Sequence, residues 1–372
     1  MDESVFSRRV AALRQILVRE SPDTAWIIQP ENRRYLSGFR AEDSQLIESS
    51  GSLLINDLLC LLITDSRYTS EAEKEVIGFE VHTLKEDLQN EFAKVVHHIG
   101  TRELAFEEDY LTWGLHRQLA ENLKKSSPPV LLTPLNNVVE QMREVKDDSE
   151  IKALETSADL ISTILDHTIS RLAPGVTEKE VAWQIAGLAR DGGAEGLAFP
   201  PIVASGPNSA LPHAVPTDRK LRKKEPIVLD VGVKYNGYCS DMTRTIFLGK
   251  PAPDFKNIYE TVREAQLAAL RAIRPGEDSD YPDAIARQVI KDAGFGDYFV
   301  HSLGHGVGLA THERPRLSPK KPVKLKKRMV VTVEPGIYIP GKGGVRIEEM
   351  VVIEDSGPRI LTKTPHFGDL IS

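Results

Sequence analysis

The stretch "SLGHGVGLATHERP", residues 302–315, holds two histidines, His305 and His312. Gly304, Gly306 and Gly308 crowd the first of them. Glycine leaves the backbone bare, so another group can come close. Sequence neighbours of this kind cannot pack the His305 ring, which leaves it open to an ion or a substrate. Alone, the segment reads first as a Gly-rich turn with a partly exposed histidine. Partners elsewhere in the chain decide between the two.

Those partners are acidic. In "PIVLDVGVKYNGYCSDMTRTIF", two apolar runs flank Asn236-Gly237, the strongest short hairpin signal. With these two residues as the turn, Tyr235 faces Tyr238 and Gly232 lies opposite Asp241. Asp230 then shares a face with Asp241, as a diagonal neighbour about 7–8 Å away at the backbone. Gly232 leaves space between them. Asp230 follows the apolar "PIVL", and a buried carboxylate needs a cation, a metal or a shared proton. "MVVTVEPGIYIP" puts Glu334 at the end of a Val-rich strand. "GGVRIEEMVVIE" puts Glu348 inside an alternating strand, with Arg346 on the same face. Glu349 falls on the other, more apolar face and reads as an exposed or edge acid. Each acid alone is an ordinary strand residue. Together, Asp230, Asp241, His305, Glu334 and Glu348 exceed the four ligands of one tetrahedral zinc. The oxygen-rich set suits two divalent ions: manganese first, with cobalt or zinc as alternatives. Such a pair activates water and polarises a carbonyl.

These residues need a scaffold. The first third of the chain alternates helical and strand patterns: helix over 6–19, strand at "TAWIIQ", two strands around the Asn-Asp of "GSLLINDLLCLLITD", helix after "DSRY", strand at "FEVHTL", helix over 84–99, strand at "RELAFEE" and helix over 111–123. This βαβα order predicts a mixed α/β domain. The Pro, Ser and Asn of "SSPPVLLTPLNN" mark its end. A long charged helical stretch, 138–172, leads into the second domain. There, Thr177 with Glu180 forms a capping box, and Gly192-Gly193 ends the helix. After Phe199 the pattern is strand-rich, with helices at 255–273 and 281–293. The domains are placed at 1–142 and 143–372, the second opening with the linker helix.

Bulk properties narrow the function classes. A chain of 372 residues that is 41% hydrophobic and 27% charged has the composition of a globular protein with sizeable cores. A net charge of -7 gives no footprint for nucleic acid. The one basic cluster, "KKPVKLKKR" at 320–328, reads as a solvated loop and strand edge. Two cysteines, Cys60 and Cys239, cannot make a disulfide framework, which fits a reducing, cytoplasmic setting. No apolar run approaches the ~20 residues of a membrane span.

At this point "LDVGVKYNGYCSDMTRT", "HSLGHGVGLATHE", "VTVEPGIY" and "GVRIEEM" together resemble the M24 metallopeptidases of pita-bread fold, over about 145–372. "NRRYLSGF" and "TDSRY" resemble the creatinase-type N-terminal domain of that family, which points to its proline-specific branch. The resemblance implies an α+β architecture: a smaller α/β creatinase-type N-terminal domain before a pita-bread catalytic domain. It implies that Asp230 chelates one metal, Asp241 and Glu348 bridge both, and His305 and Glu334 complete the second site. It implies that His213, in "SGPNSALPHAVPTD", and His312 reach the substrate, that Glu334 shuttles a proton, and that Arg346 orients a ligand or the water. The glycines would let backbone and substrate come near the metals. The implied activity is hydrolysis of the Xaa-Pro bond at the N-terminus of short peptides, by a homodimeric cytoplasmic enzyme. Xaa-Pro aminopeptidase is favoured because the segment from His312 to Glu334 is short. Prolidase, the Xaa-Pro dipeptidase, is the alternative, and a non-catalytic binding module of the same fold is a minor one. A dipeptidase must hold the proline carboxylate. Arg314 and Arg316 are at hand, but the sequence does not place them. Thr243 and Thr332 read equally as hydrogen-bond donors to the acids or as ordinary strand residues. His301 and His366 carry no motif.

Overall fold

The structure is a computed structural model that describes residues 3–20, 22–43, 45 and 48–367. The chain divides into two compact units, Met1–Arg143 and Glu144–Ser372.

The first unit runs α1 (Glu3–Glu20), β1 (Thr24–Ile27), α2 (Pro30–Ser37), β2 (Ser52–Asn56), β3 (Cys60–Thr64), α3 (Thr69–Glu75), β4 (Glu80–Thr83), α4 (Leu88–His98), β5 (Glu103–Phe106), α5 (Trp113–Lys125), β6 (Leu131–Pro134) and α6 (Val138–Arg143). One six-stranded sheet has the order β4-β3-β2-β1-β5-β6. Strand β1 is antiparallel to β2 and parallel to β5. Every residue of β1 and β2 is buried, so these strands read as apolar runs rather than alternating ones. Strand β6 falls inside the Pro-rich stretch that sequence punctuation marks as a boundary. An edge strand tolerates the proline that a central one would not. The "NRRYLSGF" motif holds this unit together. The Asn32 amide donates to Glu107 and Glu140, at 2.6 Å each, and its oxygen accepts from Arg143 at 2.7 Å. The buried Arg33 guanidinium donates to the Ala41 and Gly51 carbonyls, the Ser50 hydroxyl and Asp43.

The second unit runs α7 (Asp148–Arg171), α8 (Glu178–Asp191), β7 (Gly196–Leu197), β8 (Ile202–Ser205), β9 (Pro226–Val231), β10 (Val233–Tyr235), β11 (Tyr238–Cys239), β12 (Met242–Phe247), α9 (Pro253–Ala272), α10 (Tyr281–Asp292), β13 (Gly304–Gly306), β14 (Glu313–Leu317), β15 (Val330–Val333), β16 (Gly336–Ile339), β17 (Gly343–Arg346), β18 (Glu349–Glu354) and β19 (Gly357–Ile360). The expected long helix over 138–172 is two helices. Asp147 interrupts it and caps α7 in a reciprocal box with Glu150. The Thr177–Glu180 box starts α8 as the sequence requires. Two antiparallel sheets, β12-β9-β8 and β14-β13-β15-β18-β19, carry the unit. Their apolar residues, among them Leu229, Val231, Val331 and Val333, form one core with Val262, Ala265 and Ala269 of α9. Among the described residues, no helix is long and apolar enough to cross a membrane.

The hairpin follows its sequence pattern. Asn236 and Gly237 have φ of 48° and 79°, the two positive values of a type I′ turn. Tyr235 pairs with Tyr238, and Asp230 with Thr243, in one register. Other expectations fail. "GVRIEEM" is not one strand: β17 pairs with β16, β18 pairs with β15, and Glu348 lies in the break between them. Glu349 is buried rather than at an edge. It meets Arg244 at 3.0 Å and His366 at 2.8 Å, because the buried guanidinium of β12 requires a counter-charge. The space the glycines leave also goes elsewhere. A Cβ on Gly304 would stand 2.0 Å from the Thr332 carbonyl oxygen, and one on Gly232 would stand 2.2 Å from that of Ser240. These glycines let neighbouring backbone approach.

Gly304→Ala therefore forces β13 from β15, and about 1–3 kcal/mol of stability should be lost to overpacking. Gly187→Ala in α8, where a Cβ meets nothing within 4 Å, should be neutral or gain up to about 1 kcal/mol. Urea unfolding of the two variants beside the parent measures both. Equal midpoints would refute the close-approach account.

Candidate metal centre

The strand ends converge. Asp230 is on β9, Asp241 directly precedes β12, His305 is on β13, Glu334 directly follows β15, and Glu348 lies between β17 and β18. All five line one cavity of about 660 Å³, together with His213, His312 and Arg346. Asp241, His305 and Glu348 each offer a ligand atom within 4.8 Å of the others. The His305 Nε2 lies 3.2 Å from Glu334 and 3.7 Å from Asp241. Its Nδ1 lies 3.1 Å from the Gly306 carbonyl, which can only accept. Nδ1 therefore carries a proton, and Nε2 faces the carboxylates, donating to Glu334 when protonated and offering a lone pair to an ion when not.

The charges are costly as they stand. Burial pushes Asp241 and Glu348 well above the usual carboxylate range, and neighbouring carboxylates push both further. Burial raises Asp230 too, against the pull of Arg346. Burial also opposes ionisation of Glu334. The hydrogen bond and charge of His305, with His301 and Arg346, outweigh it and bring Glu334 to about 2. One oxygen of Asp230 is buried with no hydrogen-bond partner. An interior cluster of carboxylates and one imidazole, with an orphaned oxygen, fits hard or borderline divalent cations.

Asp230, His305, Glu334 and Glu348 are held from behind by hydrogen-bond partners of the kind that orient metal ligands. Arg346 donates to Asp230 at 2.5 Å, to Thr243 at 3.1 Å and to the Tyr338 hydroxyl at 2.7 Å. Thr243 donates to Glu348 at 2.8 Å, and Thr332 to Glu334 at 3.1 Å. This decides the two threonines, which the sequence left open. The Gln266 amide of α9 donates to the Val333 and Ile347 carbonyls, at 3.1 and 3.0 Å. Those carbonyls immediately precede Glu334 and Glu348, where strand pairing stops. Arg244 donates to the Glu348 carbonyl at 2.5 Å. His301 joins the cavity wall and lies 2.9 Å from the Tyr338 hydroxyl. Burial lowers its pKa, and burial with the charges of His305 and Arg316 lowers that of His312 to about 4. The His312 ring stands edge-on to His305, with centroids 4.3 Å apart.

Sequence reasoning missed Tyr338, His301, Gln266 and Glu178. None has a local signal, since strand and helix positions of these types are commonplace. Glu178, in the first turn of α8, looks like an acid complementing the helix dipole. In fact it is fully buried. Its carboxylate accepts from the backbone and side chain of Ser205, at 2.7 Å each. It also accepts from the backbone and side chain of Thr217, at 3.0 and 2.6 Å, and from Asn208 at 3.1 Å. One side chain thus clamps both ends of the loop that brings His213 to the cavity.

Comparison with known proteins places this geometry. Residues 152–355 match metallopeptidase family M24, and residues 9–145 match the creatinase/prolidase N-terminal domain. The chain belongs to metallopeptidase family M24, with the pita-bread catalytic fold and a creatinase-type N-terminal domain. It is 37% identical to an Xaa-Pro dipeptidase of Pyrococcus furiosus over 356 residues, 96% of this chain and 98% of that one. A solved Xaa-Pro dipeptidase from Bacillus anthracis superposes with a TM-score of 0.90 at 37% identity, covering 97% and 98% of the two chains. An X-Pro aminopeptidase from Thermotoga maritima gives 0.87 at 36% identity, covering 96% and 98%.

Glu178→Ala leaves several buried donors unpaired, at a cost of about 3 kcal/mol or more. Amide exchange should rise across residues 205–217 ahead of the rest of the second unit. Unchanged protection of that loop would show that the clamp does not hold it.

Proposed function

We propose that this chain is a dinuclear metal-dependent prolidase, hydrolysing dipeptides with proline second. The observation that carries the reading is the position of Arg316. It lies opposite His305 in the β13–β14 register and lines the same cavity as the acidic cluster. Its guanidinium therefore offers a cation to the free carboxylate of a dipeptide, in a cavity whose other charges are mainly acidic. Arg314 is engaged by Glu144 at 2.7 Å. The short segment between His312 and Glu334 argues for aminopeptidase, but relatives above one-third identity support the dipeptidase better.

In this reading Asp230, Asp241, His305, Glu334 and Glu348 would together hold the two divalent ions. The ions, when bound, polarise the scissile carbonyl and lower the pKa of water. Arg316 fixes the proline carboxylate. His213 and His312 face the carbonyl oxygen and donate to it as negative charge develops. Water attacks the carbonyl carbon, the C–N bond breaks, and Glu334 passes the water's proton to the proline nitrogen, which has no N–H of its own in the peptide. Arg346 keeps Asp230 ionised and in place.

Two experiments test this. Manganese-loaded protein should cleave Ala-Pro with kcat/KM at least about tenfold above Ala-Pro-Ala, and Arg316→Ala should raise KM for Ala-Pro about 10–100-fold with a smaller change in kcat. That factor equals about 1.4–2.8 kcal/mol. Faster tripeptide cleavage would return the assignment to aminopeptidase. Metal binding must displace the protons that the raised pKa values of Asp241 and Glu348 retain, so affinity should rise with pH through the acid range and level off once both are ionised. Calorimetric titration with manganese reads that slope, and Asp241→Asn should abolish both binding and turnover. Full activity in that variant would sink the two-metal reading.

A further inference from the structure

Beside the acidic cavity lies a second one, also about 660 Å³, whose lining includes no acidic side chain. The two share His301, Ser302 and Arg316, so Arg316 stands between them. The far wall belongs to the start of the basic run 320–328. Most of that run is neutralised. Lys324 pairs with Asp278 at 3.0 Å, Lys326 with Glu144 at 3.8 Å and Arg328 with Asp148 at 2.6 Å, and Lys327 pairs with Asp355. Arg287, on the same cavity, is held by Asp283 at 2.9 Å. Lys320 and Lys321 differ. Among the described residues neither they nor Arg316 has a carboxylate within ion-pair distance, and all three line the cavity. Lys321 has φ of 51°, a left-handed conformation uncommon for lysine, at the turn that sets both lysines on the rim. Three uncompensated cations around one concavity, on a chain of net charge -7, focus a positive potential there.

We propose that this cavity is a binding site for a small dianionic oxyanion of the phosphate or sulfate type, and that its occupant draws the Arg316 guanidinium away from the substrate cleft. A tetrahedral dianion accepts from Lys320, Lys321 and Arg316 together, and charge-assisted bonds of this kind are the strong ones. Since one guanidinium serves both cavities, anion and dipeptide carboxylate compete for it without sharing a cavity. The competition rests on Arg316 as the substrate-carboxylate partner proposed above, whereas the anion site itself does not.

The probe is sodium sulfate against sodium chloride at equal ionic strength, on the manganese-loaded enzyme and on its Lys320→Gln/Lys321→Gln variant. Two readouts are taken: sulfate binding by titration calorimetry, and kcat and KM for Ala-Pro. Sulfate should bind the parent and raise its KM at least threefold, with kcat within twofold. The variant should keep the parent's KM in chloride and lose most of the sulfate binding and the KM effect. An equal sulfate response in parent and variant overturns the site and assigns the effect to the metal cleft; so does an absence of sulfate binding to the parent. Lysine-dependent binding with KM unmoved keeps the site and overturns the competition through Arg316.

Discussion

Four carboxylates converge in one buried cleft, and their mutual repulsion is the constraint around which the catalytic unit is built. Two carboxylates about 4 Å apart, at an effective dielectric constant near 20, repel by about 4 kcal/mol. The chain supplies only part of the compensation. Arg346 meets Asp230, His305 meets Glu334, and two threonines donate to Glu334 and Glu348. Among the described residues Glu348 has no cation within ion-pair distance and Asp241 has only His305, which lies nearer Glu334, and burial with the neighbouring carboxylates holds the pKa of both well above the usual range. A divalent cation resolves that imbalance, and the Nε2 of His305 faces the same point.

The strand ends explain how such a cluster can be rigid. Glu334 and Glu348 sit just where β-pairing stops, and stopping a strand leaves carbonyls without partners. Gln266 and Arg244 satisfy those carbonyls from the side. The residues that interrupt the sheet are thereby fixed as firmly as those within it. The Glu178 clamp does the same for the loop bearing His213. In each case a buried polar group with several partners holds the backbone beside a candidate site residue.

The first unit uses similar physics for another end. Asn32 and Arg33 gather carboxylates and backbone carbonyls inside it, so its motif is accounted for by folding. Positive charge in the second unit is distributed as deliberately as negative. Most of the basic run is paired off, while among the described residues Arg316, Lys320 and Lys321 have no carboxylate at ion-pair distance. On this arrangement a cleft built for cations acquires one edge that attracts carboxylates.

The sequence by itself determined what local patterns encode. The type I′ hairpin, its register, the two capping boxes and the five candidate ligands are legible because turn chemistry, period-two alternation and the cost of burying an acid act over a few residues. Only the tertiary structure decided what depends on distant partners. Glu349 is buried because Arg244 lies across the sheet. Glu348 stands between two strands because β17 and β18 pair with different neighbours. The glycines beside His305 serve an approaching strand. Glu178, Gln266, His301 and Tyr338 had no local mark, since a polar residue's role is set by the groups that fold against it. Arg316 became the specificity candidate in the same way, when the register put it opposite His305.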